Sequence, residues 1–157
     1  MTHLNAQVLV SKLHPRIAFR GAMDTLEAEL ILAQLAAPDL VGQLEEVLEL
    51  ARNLIRWDVL EEPVNVQRLC GLTEDEQRAR SHRPQEYYGQ AHFMPSAADG
   101  MAIARLNRAR CAAREAELAA ANAFSDRDGI PTRPDILRAL NRMSSMLYIL
   151  MIQQKAR

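Results

Sequence analysis

The chain has 157 residues, 48% hydrophobic and 25% charged, with a net charge of −1. It is long enough for one buried core, and its composition excludes disorder and any overall field that would draw nucleic acid or acidic membrane. Aromatic residues are only 4%, and six Gly with seven Pro leave few turns for a many-stranded sheet, so the abundant Ala, Leu, Arg, Glu and Met favour helices. Cys70 and Cys111 form no CxxC and no His/Cys ligand spacing, and no metal-ligating residues are expected. MTHLNAQVLVSK lacks a basic segment followed by an apolar run, and the longest apolar stretch, MLYILMI at 146–152, is well short of the roughly 20 residues a membrane span needs. The expectation is a cytoplasmic protein.

A first helix is predicted from about Arg16 to Ala36. Leu26, Leu30, Leu32 and Leu35 give it an apolar side, Gly21 is a weak point, and Pro38 stops it. Arg16, Arg20 and Asp24, four apart, predict an ion-pair ladder along that helix, with Asp24 as a first-turn acid. A second helix starts near Pro38–Asp39 and runs to about Trp57, with Leu40, Leu44, Val47, Leu48, Ala51, Leu54 and Ile55 spaced three and four apart. Residues 58–96 are polar and irregular, and hold one short helix: Thr73 with Glu76 three residues on is a capping box opening EDEQRARSH. So long a connection in a compact domain is a candidate binding loop. A third helix spans roughly Ala97 to Phe124. A fourth starts at about Pro134 and carries Ile136, Leu137, Leu140, Met143, Leu147, Leu150 and Met151. The fold class that follows is all-α, a four- or five-helix antiparallel bundle forming a single domain over 1–157.

Two polar stripes stand out. On the third helix Asn107, Arg110, Arg114 and Glu117 share one side, which alone is compatible with a solvated face of weak ion pairs. A nucleic-acid face is disfavoured, because no aromatics interleave Arg105, Arg108, Arg110 and Arg114. The fourth helix, otherwise apolar, carries Asn141, Arg142 and Ser145 within ALNRMSSMLY. Unpartnered burial of such groups costs several kcal/mol, so they either edge the apolar stripe or line a shared polar pocket. A ferritin-like metal bundle is excluded, since no Glu is followed three residues later by His.

VSKLHPRIAFRGAMDTLEAELILA (Val10–Ala33) resembles the opening of the ATP:cob(I)alamin adenosyltransferases, with a Lys, an Arg-Ile pair and a Gly-x-x-Asp on a long helix. RCAAREAE (Arg110–Glu117) is similar to that family's Arg-x-x-x-Arg-x-x-Glu helix, and RPDILRALNRMSSMLY (Arg133–Tyr148) to its Leu-Asn-Arg helix. EEPVNVQRLCGLTEDEQRARSHRPQEYYG, and Asn-Arg-x-Ser-Ser on the fourth helix, resemble the ethanolamine-utilisation type in particular. The match runs from about His3 to Met151, with three motifs in the family's order.

The resemblance implies transfer of the 5′-deoxyadenosyl group of ATP to cob(I)alamin, giving adenosylcobalamin and triphosphate, with magnesium (Mg2+) or another divalent ion and with cobalamin as substrate. It implies Lys12, Arg114, Asn141 and Arg142 as nucleotide contacts. Glu117 matches the family's helix carboxylate, and Arg110 the arginine that pairs with the Gly-x-x-Asp carboxylate, here Asp24, across a subunit boundary. Arg110, Arg114, Glu117 and Asp24 are thus the expected catalytic set, in a homotrimer or homodimer with sites between subunits. HFMP (His92–Pro95) stands where the propanediol type places an aromatic residue on the corrinoid, so Phe93, or His92 as the alternative, is the expected cobalamin contact. A corrinoid reductase and an adenosylcobalamin-dependent lyase are the implied partners, with a possible place in a bacterial microcompartment. Neither a Gly- and Thr-rich phosphate loop nor a cysteine-bearing segment stands ahead of Val10. The expectation is therefore a short member or a truncated chain, and the alternative function is a corrinoid carrier or assembly subunit with little ATP-dependent activity.

Overall fold

A computed structural model describes all residues, 1–157. Four long helices form it: α1 (Pro15–Ala36), α2 (Val41–Val59), and, after two short helices α3 (Glu74–His82) and α4 (Pro84–Tyr88), α5 (Met101–Ala123) and α6 (Pro134–Lys155). Single 3-10 turns at Pro38–Leu40 and Ala97–Asp99 lead into α2 and α5. A small hairpin, β1 (Thr2–His3) and β2 (Leu9–Val10), precedes α1. It and α4 are the elements absent from the sequence expectation, because two-residue strands and a five-residue helix carry no periodicity to detect. The Asn5 carboxamide accepts from the Gln7 and Val8 N–H groups to close the hairpin turn.

Helix starts follow local chemistry. Pro15 and Pro134 sit in first turns, where a missing N–H costs nothing. His14 Nδ1 accepts from the Arg16 N–H at 3.1 Å, and the Thr73 hydroxyl accepts from the Glu76 N–H at 3.3 Å, as the capping box predicts. Gly21 does not interrupt α1.

The core comes from the expected stripes. Leu26 and Leu30 of α1, Leu40 ahead of α2, Leu44, Val47, Leu48, Ala51 and Leu54 of α2, and Ile136, Leu140, Met143, Leu147 and Leu150 of α6 are all buried. Each large side chain among them contributes about 1.5–3 kcal/mol. The inner face of α5 is mostly alanine: Ala109, Ala112, Ala113, Ala116 and Ala120 are buried, so α1 and α6 approach its backbone closely. Leu32 and Leu35 are a correction to the sequence reading. They are exposed, Leu35 at 76%, and share the outer face of α1 with Ala18, Gly21, Thr25 and Ala28.

Helix directions explain the long connection. Arg16 reaches Asp58, so α1 and α2 are antiparallel. Phe19 meets Phe124 edge-on at 5.3 Å, while Glu29 reaches Arg105 and Arg108, so α1 and α5 are antiparallel too. Hence α2 and α5 point the same way, and residues 60–100 must travel back along the bundle as a crossover. The ladder expected along α1 is replaced by a tertiary contact. Asp58, fully buried, accepts from Arg16 Nε (2.9 Å) and Nη2 (2.6 Å) and from Arg20 Nε (2.8 Å). Sequence spacing could not show this, because Asp58 lies on another helix. Asp24 is left exposed on the outer face of α1.

Candidate functional site

The polar edge of α6 is Asn141, Ser145 and Tyr148, at spacings of four and three, while the residues between them feed the core. Arg110, Arg114 and Glu117 have the same spacing on α5. The helices run antiparallel, so Glu117 meets Asn141 and Arg110 meets Tyr148. The C-terminal turn of α3 adds Ser81 and His82. Together with Ser144 these residues line an open cleft of about 430 Å³.

The cleft is cationic and rich in donors. Arg114 is exposed and Arg110 half-buried, and neither is engaged in a salt bridge within the chain. The Arg110 guanidinium lies 5.9 Å from the centre of the Tyr148 ring. Glu117 is the single carboxylate in the lining. Burial raises its pKa above the ordinary carboxylate value, opposed by the Asn141 amide and the Arg114 charge. Beyond Arg114 and Glu117 the surface continues into a groove of about 550 Å³ with an apolar wall of Leu118, Ala121 and Leu137.

A second cavity of about 550 Å³ opens at the bundle end, between Arg16, Glu61, Phe124 and Arg133. Its cations are already committed: Arg16 to Asp58, and Arg133 Nε to Asp135 at 3.0 Å. Burial pushes the Asp135 carboxyl up, yet the Arg133 and Val64 donors outweigh it and hold the group below its ordinary value. This network pins the crossover to α6 and leaves no free cation for an anionic ligand.

The structure brings Arg110, Arg114, Glu117 and Asn141 into one cleft. It does not bring Lys12 or Asp24 there; both are exposed on the α1 side of the chain. Arg142, expected as a nucleotide contact, is instead buried at 5% exposure. Its guanidinium donates to the carbonyls of Leu72 (3.2 Å), Gln67 (3.4 Å) and Val66 (3.5 Å) and to Gln77 Oε1 (3.4 Å), which holds the crossover loop against α6. One residue after Asn141, its side chain turns about 100° around the helix, out of the main cleft and into an adjoining pocket of about 60 Å³ that it lines with Ser81, His82, Asn141 and Ser145. His92 and Phe93 also part company. His92 stacks on Tyr148 at 5.6 Å and hydrogen-bonds its hydroxyl, beside the cleft. Phe93 packs against the core, with Lys155 Nζ 5.4 Å from its ring centre. Tyr148, Ser81 and His82 were not singled out from sequence. The i, i+4, i+7 spacing from Asn141 marks Tyr148, whereas nothing local places α3 against this edge.

Cys70, with φ 52°, is partly buried against α2. Burial first, and then Glu46, push its thiol up to about 12, which favours the protonated form. No group of three His, Cys, Asp or Glu side chains converges to hold a metal ion, and no helix is long and apolar enough to cross a membrane.

No solved structure shows significant similarity to the chain. It is 39% identical over 158 residues to the corrinoid adenosyltransferase EutT of Salmonella typhimurium, covering all of this chain and 59% of that protein. To the corrinoid adenosyltransferase EutT of Escherichia coli K12 it is 37% identical over 153 residues, 97% of this chain and 57% of that protein. The chain thus spans somewhat under three fifths of the length of these relatives. The sequence profile described as cobalamin adenosyltransferase matches residues 1–154, and with helices and cleft residues in the order the motifs required, the chain belongs to the cobalamin adenosyltransferase family.

Proposed function

We propose that the chain transfers the 5′-deoxyadenosyl group of ATP to the cobalt of cob(I)alamin, giving adenosylcobalamin and triphosphate, in the service of ethanolamine utilisation. The observation that carries this reading is the pair Arg110 and Arg114, unpaired within the chain, beside Asn141 in one cleft. The departing triphosphate gathers negative charge as the cobalt–carbon bond forms. Fixed guanidinium donors stabilise that charge at no cost in reorganisation. Asn141 supplies a neutral donor, and the Leu118–Leu137 groove offers an apolar face for the nucleoside. One carboxylate, Glu117, suits magnesium, which takes one or two protein carboxylates and fills its shell from phosphate oxygens and water. On the opposite side of the cleft from α5, the segment bearing His92 is the reading's corrinoid side.

Lys12 and Asp24 enter the site from a second copy in this reading. Asp24 is exposed and unpaired on α1, and Arg110 has no carboxylate in its own chain, so an intersubunit pair satisfies Asp24 and orients Arg110, whose remaining N–H donors still face the phosphates. The outer face of α1, with Ala18, Gly21, Thr25, Ala28, Leu32 and Leu35 at alternating spacings of three and four, supports a homotrimer or homodimer. A corrinoid reductase upstream and an adenosylcobalamin-dependent lyase downstream are the partners that this chemistry requires, and a microcompartment is the proposed setting.

The test is to mix the protein with ATP, magnesium and chemically reduced cobalamin and follow the light-sensitive cobalt–carbon product by absorbance. Turnover is expected, and Arg114→Ala is expected to lower kcat/KM about 100-fold without moving the unfolding midpoint, since Arg114 is exposed. Equal rates with and without protein refute the enzyme. Because the chain covers only part of its relatives' length, corrinoid binding without turnover is the outcome that would assign it to a carrier.

A further inference from the structure

Tyr148 touches Arg110 in the cleft and His92 beside it. Its ring lies under the Arg110 guanidinium, and its hydroxyl meets Nδ1 of His92. The other imidazole nitrogen, Nε2, lies 3.2 Å from the carbonyl of His82. A carbonyl can only accept, so Nε2 carries a proton, and in the neutral ring Nδ1 is then the acceptor to which the tyrosine O–H donates. His92 stands in the strap between α4 and α5. That strap has only local backbone bonds between Gly89, in a left-handed turn, and Ser96, so side chains hold it: Phe93 against the core and His92 against Tyr148 at the cleft. Burial raises the Tyr148 pKa against the opposing charge of Arg110, which keeps the hydroxyl a donor. A phenol that donates to a strong acceptor becomes richer in ring electron density, and the ring face then attracts the cation above it more strongly.

We propose that Tyr148 is a positioning residue that couples the two substrate sides of this cleft: its ring holds Arg110 toward the triphosphate, and its hydroxyl, through His92, holds the strap on the corrinoid side. This rests on the functional reading above and deepens it. Arg110 is the catalytic contact, and Tyr148 acts through it. Movement of the strap that breaks the His92 bond loosens the seat of Arg110. Occupancy of one side therefore changes affinity on the other, and the reciprocal effect is of equal size.

Two variants of the full chain separate the parts of Tyr148. Tyr148→Phe keeps the ring and removes the O–H; Tyr148→Leu removes both. Binding of inorganic triphosphate is measured by calorimetry with and without cob(II)alamin, and the rate of limited proteolysis is followed across residues 89–96. Tyr148→Phe should bind triphosphate alone within about twofold of the parent, speed cleavage in the strap, and abolish the change in triphosphate affinity that cobalamin causes. Tyr148→Leu should further weaken triphosphate binding by about three- to tenfold. Unchanged strap cleavage in Tyr148→Phe, retained coupling in that variant, or parental triphosphate affinity in Tyr148→Leu would each overturn the proposal. Failure of the parent chain to bind triphosphate at all would instead overturn the reading of the cleft, and this inference with it.

Discussion

Replacing Asp58 by Asn changes one charge and almost no volume, at the point where the start of α1 meets the end of α2. The parent carboxylate takes three side-chain hydrogen bonds from Arg16 and Arg20, between 2.6 and 2.9 Å, and is fully buried. Those arginine side chains are 17% and 16% exposed, so neither finds enough water to replace the lost anion. The nearest substitute, Glu61, lies 3.7 Å from Arg16 and is itself mostly exposed, a weak partner. Arg20 Nη2 already lacks a partner. Breaking a buried pair by removing one member costs about 3–5 kcal/mol, and the partial exposure of the guanidinium edges puts this case near the lower end, about 3 kcal/mol. For a chain of this length that is a fall in Tm of about 6–12 °C. The measurement is urea unfolding and calorimetry at pH 7 and one fixed protein concentration, because assembly adds stability by mass action. A loss under about 1 kcal/mol, the range of an exposed ion pair, would refute the argument that burial makes this contact costly to break.

Two further perturbations test the assignment of roles. Arg142→Met keeps the stem but removes the donor to the carbonyls of Val66, Gln67 and Leu72, of which Leu72 keeps the Leu69 N–H, so stability should fall by about 1–3 kcal/mol and proteolysis within 60–73 should speed up, with triphosphate affinity unchanged. Lost triphosphate binding at parental stability would return Arg142 to the nucleotide site. Glu117→Gln tests the electrostatics of the cleft. Burial raises the folded-state pKa of Glu117, so its contribution to stability is complete below the ordinary value of 4.5 and is lost as pH rises through the folded value. The Gln variant should therefore show a flatter stability profile between about pH 4 and 7 and be at least as stable as the parent at pH 7. Lower stability at pH 7 would refute that sign.

The parts of the fold legible in the sequence are those specified by neighbours three and four residues apart. The buried stripes of α2 and α6, the Thr73 cap and the Pro134 start all follow from local spacing, and so does the triplet Arg110, Arg114 and Glu117. What local spacing does not reach depends on partners far along the chain. Arg16 and Arg20 suit a ladder on α1 until Asp58, some 40 residues on, is brought beside them. Arg142 is a nucleotide contact by the family resemblance alone, and only the folded crossover supplies the carbonyls that its guanidinium meets. Leu32 and Leu35 satisfy helical periodicity but continue onto the outer face, since hydrophobic spacing cannot say whether a stripe faces its own core or another chain. His92 and Phe93 differ by one position and by which side of the strap they take, which no local pattern fixes.

The unpaired charges of the proposed site divide between two faces. Arg110 and Arg114 stand on the α5–α6 side, Asp24 and Lys12 on the α1 side, and no single chain joins them. If Asp24 of one copy pairs with Arg110 of the next, each contact uses different surfaces of the two chains. Such a contact, repeated by the same rotation, closes a ring; a two-fold dimer instead brings both pairs together about one axis. Engineered cysteines distinguish the two. In a chain carrying Asp24→Cys and Arg110→Cys, with Cys70 and Cys111 changed to Ser, oxidation of a ring links every chain to two neighbours and yields species larger than a dimer. A two-fold assembly stops at the cross-linked dimer. Asp24→Ala should weaken assembly in sedimentation while leaving helix content unchanged, because no atom of its own chain depends on that carboxylate. A chain that sediments as a monomer at micromolar concentration would remove the intersubunit pair, and with it the route by which Lys12 reaches the cleft.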